Sequence, residues 1–96
     1  MKKFVFLYHS FQEPSADVMD AWGTWFAAVG DKFIDSGNPF GEGREVTKTG
    51  SRSLTSDLRP ASGYSILNAD SIDEAEKLLE GCPAIDSVRI YEAMPM

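Results

Sequence analysis

Residues 63–96 constrain the fold more than any other part of the chain, because they spell out strand, capped helix, stop signal and strand in succession. Ser71 is followed three residues later by Glu74, which is the spacing of a capping box. In that motif the serine oxygen accepts the Glu74 amide, and the glutamate reaches back to the serine amide. Gly81 suits a left-handed C-cap, and the proline two residues further on cannot continue a helix. The segment therefore predicts a helix over residues 71–80.

This helix lies between two predicted strands. Residues 64–68 follow a glycine and mix aromatic with β-branched side chains, and residues 88–94 place successive side chains on alternating faces. Within the helix, apolar residues recur at the 3.6-residue spacing, so they form a stripe that must cover another element. The stripe consists of Ile72, Ala75, Leu78 and Leu79.

The first half of the chain repeats this plan at a larger scale. Residues 4–8 form an apolar run that is too short to span a membrane, and they predict a strand with both faces covered. Ser15 can cap a long helix whose apolar residues follow at helical spacing. Gly37 and Pro39 form its stop signal, so the helix is predicted to end near Ser36.

The middle of the chain is polar and admits two structures. Residues 44–49 alternate charged side chains with valine and threonine, which predicts an exposed strand. Residues 50–62 then form either a hairpin arm or a mobile loop. As a whole, residues 1–96 predict one α+β domain with a four-stranded antiparallel sheet, in the β-α-β-β-α-β order of the split, ferredoxin-like arrangement.

Charge and composition argue against several functions. The chain has a net charge of -6, with nine basic residues scattered among fifteen acidic ones. Nucleic-acid binding needs clustered Lys and Arg, so no nucleic-acid partner is expected, and no membrane association either. The single Cys82 and the lack of a signal-peptide cleavage site predict a cytoplasmic location. No metal-ligand spacing and no cofactor motif are present, so we expect neither a metal nor a cofactor.

The predicted sheet leaves one face uncovered if both helices pack on the other. The first strand carries apolar side chains on both sides, with Phe4 and Phe6 on one and Val5 and Leu7 on the other. An apolar open face on so small a domain is usually buried by a partner. We therefore expect a homodimer, most simply with two-fold symmetry.

Three segments of the chain occur together in an order that one known family shows. They are the opening KKFVFLYHS, the middle GYSILNADSIDEAEKLLEGCP and the ending VRIYEAMPM. Together these segments extend along nearly the full chain, and through them the sequence resembles the YCII-related family and its DGPF-type relatives. The resemblance implies a ferredoxin-like fold that pairs into a dimeric α/β barrel, and it implies little about activity.

Some YCII-like proteins carry a His–Asp pair on or near the first helix, proposed as an acid/base site. This chain has its one histidine elsewhere, at His9 after the first strand, and it lacks the Asp-Gly-Pro-Phe signature. Asp31 or Asp35 can match the family's aspartate. His9 is therefore the candidate general acid or base, oriented by one of these aspartates, whereas the alternative is a structural histidine and two solvated carboxylates.

An aromatic pocket is the second candidate site. Trp22 and Trp25 have the spacing of core residues, and such a pair beside a sheet can also line a flat apolar pocket. Tyr64, Tyr91 and Glu92 can add polar groups to that pocket or serve the fold alone.

Two functions of different classes follow from these residues. The first is the binding of a small, possibly aromatic metabolite, with cofactor-independent acid/base chemistry upon it. The second is a non-enzymatic dimeric module that binds a ligand or a protein through an arm over residues 50–62.

Overall fold

Six strands and two α-helices make up the part of the chain that the computed structural model describes, which is residues 1–9, 15–55, 58–84 and 87–96. The helices are α1 (Ala16–Val29), which a 3₁₀ turn (Gly30–Lys32) follows, and α2 (Ile72–Lys77). The strands are β1 (Lys2–His9), β2 (Phe33–Asp35), β3 (Arg44–Thr47), β4 (Gly50–Ser53), β5 (Gly63–Ala69) and β6 (Ser87–Ala93). The predicted α+β class is confirmed.

Four of these strands form one antiparallel sheet in the order β2-β5-β1-β6, whereas β3 and β4 form a separate two-stranded hairpin. The central strand is β1, whose Phe6 lies opposite Ser65 of β5 and Ile90 of β6. The predicted four-stranded antiparallel sheet is thus confirmed, and the first strand of the chain is one of its two inner strands.

Alternation along the strands decides which side of the sheet the core occupies. Every second residue is buried from Phe4 to Tyr8 in β1 and throughout β5, and both helices contribute buried side chains to the same cluster. The cluster comprises Phe4, Phe6, Tyr8, Trp25, Val29, Leu67, Ala69 and Ala75. Both helices therefore cover one face of the sheet, and the other face carries the intervening residues of each strand.

Both helix starts use the serine caps that the sequence predicts. The Ser15 hydroxyl accepts the amide of Val18 at 3.3 Å, and the Ser71 hydroxyl accepts the amide of Glu74 at 3.1 Å. One detail of the second cap differs from the prediction. The Glu74 carboxylate accepts the amide of Asp70 at 2.9 Å, so it reaches one residue beyond the serine amide.

The first helix ends earlier than predicted. It stops at Val29 and does not continue to Ser36, because Gly30 adopts a φ of 64° and donates its amide to the Phe26 carbonyl. That conformation suits glycine and turns the chain out of the helix. Phe33, which was expected to extend the helical stripe, instead begins the short strand β2, which pairs with β5.

The second helix is also shorter than predicted. Its helical residues end at Lys77, whereas the prediction placed the end near Glu80. Tighter turns continue beyond it, with the Glu80 amide bonded to the Lys77 carbonyl at 3.1 Å. Such variation at a helix end is expected where the last turn tightens.

The second strand of the main sheet is a further correction. The sequence predicts it over residues 44–49, but residues 33–35 take that place in the sheet. The polar segment forms β3 of the hairpin instead, with Glu45 opposite Arg52 of β4. Of the segment 50–62, which was predicted as a hairpin arm or a mobile loop, residues 50–53 form β4 and pair with β3. The described residues that follow, 54–55 and 58–62, belong to neither strand, and residues 56–57 lie outside the described part of the chain. None of the described helices is both long enough and apolar enough to cross a membrane.

Candidate functional site

A cavity of about 290 Å³ opens between α1 and the two segments that lead out of β2 and into β5. Its apolar wall is made by Tyr8, Val18, Met19, Trp22, Phe26 and Pro39. Its remaining lining comes from Ser36, Gly37, Asn38, Ser62, Gly63 and Tyr64. No charged side chain is among these described residues, so the cavity suits an uncharged and largely apolar ligand.

The two tryptophans have different positions around this cavity. Trp22 lines it, with its ring edge-on to Tyr8 at a centroid distance of 5.1 Å and 5.7 Å from Phe26. Trp25 is buried in the core behind, and its indole N–H donates to the Leu78 carbonyl at 2.8 Å. Of the predicted pair, Trp22 can therefore contact a ligand. Trp25 packs against Trp22 from the core, with their ring centroids 5.8 Å apart.

A buried chain of hydrogen bonds fixes the tyrosine in the cavity wall. The Tyr8 hydroxyl donates to the Ser65 hydroxyl at 2.7 Å, which donates to the Ser36 carbonyl at 2.6 Å. Burial raises the pKa of Tyr8 above its ordinary range. The phenol is therefore neutral at physiological pH, and its oxygen keeps lone-pair capacity to accept a further hydrogen bond.

The turn after β2 shapes the rim of the cavity. Gly37 has a φ of 88°, and a β-carbon there would overlap the carbonyl oxygen of Tyr64. The Asp35 carboxylate accepts the Gly37 amide at 2.8 Å and the Tyr64 hydroxyl at 3.0 Å. The Tyr64 ring also stacks on Phe40 at 5.5 Å. Asp35 therefore ties the turn to the neighbouring strand, and two of the predicted residues, Asp35 and Tyr64, meet directly.

His9 lies at the end of β1 and is only 7% exposed. Its Nδ1 is 3.2 Å from the carbonyl oxygen of Arg59, a residue held in the left-handed region at a φ of 51°. Within the described part of the chain, the buried Nε2 has no hydrogen-bond partner. Strand alternation directs His9 to the opposite side of the sheet from its neighbour Tyr8, and His9 is not part of the cavity lining.

The remaining predicted residues lie apart from the cavity. Asp31 is exposed in the turn after α1, and it shares no hydrogen bond with His9. Tyr91 is 50% exposed on β6, and Glu92 pairs with Lys2 at 3.8 Å. The structure thus brings Trp22 and Tyr64 to one cavity, with Asp35 behind its rim, and places the other candidates elsewhere.

Most of the cavity lining was not singled out from the sequence. Tyr8 carried a usable signal, because it shares the alternation of Phe4 and Phe6 and so had to face the helices. The turn segments at residues 36–39 and 62–64 carried none, because their position depends on pairing between strands distant in sequence. Gly37 was read only as a stop signal, although its close approach to β5 is what forms the rim.

The described residues contain no group of three His, Cys, Asp or Glu side chains arranged to hold a metal ion. Burial raises the pKa of the Cys82 thiol above its ordinary value, which disfavours a reactive thiolate. The described lining residues present neutral hydroxyls, amides and aromatic rings to the cavity.

Comparisons of the chain with protein-family models, with curated proteins and with solved structures find no match.

Proposed function

We propose that this protein is a YCII-like, two-fold homodimer of ferredoxin-like domains that binds a small, uncharged aromatic metabolite in the cavity beside Trp22. The observation that carries the ligand class is the lining itself, in which aromatic rings border a space of about 290 Å³ and none of the described lining residues is charged. Cavities of roughly this size and apolar character bind small planar molecules in many proteins.

The strand order supports the ferredoxin-like part of this proposal. Without the β3–β4 hairpin, the four remaining strands are, in chain order, β1, β2, β5 and β6. In the sheet they lie side by side as the second, third, first and fourth of these, and both helices cover one face. This is the connectivity expected of a split βαβ domain. The family resemblance of the sequence points to the same fold.

The surface supports the dimer. The open face of the sheet carries Val5 and Leu7 of β1, Ile66 of β5 and Tyr91 of β6, none of them fully buried in the single chain. The chain exposes 6842 Å², which is about a quarter more than expected for a compact monomer of its mass. A second copy on the open face would bury that apolar surface and close the two sheets into a barrel.

The position of His9 favours binding over catalysis at this cavity. A general acid or base must lie within hydrogen-bond reach of the reacting group, and His9 is not among the described residues that line the cavity. Its buried Nε2 has no hydrogen-bond partner among the described residues, so proton transfer at a site beside His9 is the second candidate function. Unchanged turnover of an active substrate by a His9→Ala variant would exclude that role.

The ligand proposal is tested by thermal unfolding with two probes, neutral indole and anionic benzoate. A ligand at a hundred times its dissociation constant stabilises the native state by about 2.7 kcal/mol. We expect indole to raise the melting temperature of the wild type and benzoate to leave it unchanged, since no described lining residue is charged. Trp22→Leu should remove the indole effect, and Ile72→Ala, on the exposed surface of α2, should retain it.

Stabilisation by benzoate equal to that by indole would refute the preference for uncharged ligands. Retention of the full indole effect in Trp22→Leu would refute the assignment of the site.

A further inference from the structure

The β3–β4 hairpin, which we call the arm (residues 44–53), has no buried residue. Even its apolar side chain Val46 is 75% exposed. The arm is joined to the body near Leu54, whose amide donates to the Gly43 carbonyl at 2.9 Å and whose side chain packs on that glycine. The arm therefore has no hydrophobic face, and no described residue of the single chain buries it.

Such an arm needs support from outside the chain. An isolated two-stranded hairpin is marginally stable in water, because it buries too little surface to offset the cost of ordering its backbone. Its two outer edges also offer unpaired backbone groups to a neighbouring surface. The overall extents of 41 × 40 × 18 Å describe a flat slab, and the Cα radius of gyration of 14.5 Å exceeds the roughly 12.5 Å expected of a compact domain this long.

The charge of the arm indicates what supports it. Arg44, Lys48 and Arg52 outnumber Glu45, so these ten residues carry a net charge of +2. The whole chain carries -6, which leaves -8 on the rest of the sequence. The arm is thus a basic element on an acidic protein, and its charge complements the body of another copy of the same chain.

Two of the three cations are available for such a contact. Arg52 already pairs within the arm, with its Nε 2.7 Å from the Glu45 carboxylate. Arg44 and Lys48 have no ion-pair partner in the regions that the structure describes. Lys48 lies at the tip of the hairpin, between the paired strands, where it reaches furthest from the base.

We infer that the arm of each copy docks on the acidic body of a second copy and clasps the homodimer, with Lys48 and Val46 as contact residues. The inference rests on the proposed dimer and adds the element that holds its two halves together. Two-fold symmetry makes the contact twice, so each change in the arm acts at two places in the dimer. The contact between opposite charges also makes dimerisation dependent on salt.

Sedimentation equilibrium of the full chain tests the inference by measuring the dimer dissociation constant at low and high salt. We expect the wild-type constant to rise with salt. Lys48→Glu should raise it about tenfold at low salt, since two exposed contacts are reversed at once. Lys77→Glu, an equal change of net charge on exposed α2, is the matched control and should leave the constant within about twofold.

Val46→Ser provides a second readout that involves no change of charge. It should weaken the dimer while leaving the circular dichroism spectrum of the chain unchanged, because Val46 is exposed in the single chain. A stable dimer that tolerates both arm changes, or that responds equally to Lys48→Glu and Lys77→Glu, overturns the role of the arm alone. A wild type that stays monomeric at high concentration overturns the proposed dimer as well.

Discussion

Gly37 shows how one residue can decide the shape of the candidate site. Its φ of 88° is accessible to glycine at little cost, and its missing side chain lets the turn pack against the carbonyl oxygen of Tyr64. In the same turn, the Gly37 amide donates a hydrogen bond to the Asp35 carboxylate. Glycine is therefore required here by backbone conformation and by contact together.

We predict that Gly37→Ala lowers the free energy of unfolding by at least about 1–3 kcal/mol, because strain in the left-handed region and a backbone overlap add together. Urea unfolding measures the change. Gly41→Ala is the matched control, since Gly41 has no atom within 4 Å of a β-carbon position and no positive φ. Equal destabilisation by both variants would contradict the importance of the close approach.

At the scale of elements, the start of α2 combines a serine cap with a carboxylate that serves two donors. The Glu74 carboxylate accepts the Asp70 amide at 2.9 Å and contacts the Lys32 ammonium at 3.3 Å. These partners, the backbone amide first and Lys32 next, hold the pKa of Glu74 below its ordinary value. The negative charge also lies at the favourable end of the helix dipole.

A lowered pKa in the folded state has a definite effect on stability. The charged form of Glu74 is favoured by folding, so its contribution is present above the ordinary carboxyl pKa and is lost as the pH falls through the lower, folded value. We predict that Glu74→Gln reduces stability at neutral pH and flattens the loss of stability on acidification. Urea midpoints measured from neutral pH down through the carboxyl range test this, and an unchanged pH dependence would count against it.

Elements differ in how far the sequence predicts them. The serine caps before α1 and α2 were predicted, because they depend on bonds to amides three residues away. The end of α1 and the position of β2 were not, because Phe33 continues the apolar spacing of the helix. Pairing with β5 decides their conformation, and that partner lies about thirty residues along the chain.

At the scale of the whole molecule, the open sheet face should control association. Ile66 lies opposite Val5 near the middle of that face. We predict that Ile66→Asp dissociates the proposed homodimer, because a carboxylate there would be buried without a partner at the proposed interface. Size-exclusion chromatography with light scattering measures the mass, and Ile72→Asp on the exposed side of α2 is the control. A dimer that survives Ile66→Asp would show that the interface lies elsewhere.

The sequence by itself determined the features of this protein that depend on local bonds and on alternation. These are the two serine caps, the buried positions of the apolar stripes, and the α+β class with its four-stranded antiparallel sheet. Each rests on interactions within a few residues of the chain, or on a period that the backbone geometry imposes. Ile72, which the predicted stripe of α2 also included, is instead 53% exposed.

Only the tertiary structure decided which residues meet at the cavity. Tyr8, Trp22, Ser36 and Ser62 come together because strand pairing brings β1, β5 and the turn after β2 to one end of the sheet. The same pairing directed His9 away from that cavity and left the arm outside the core. Registers between distant strands are set by the packing of the whole core, which no local pattern specifies.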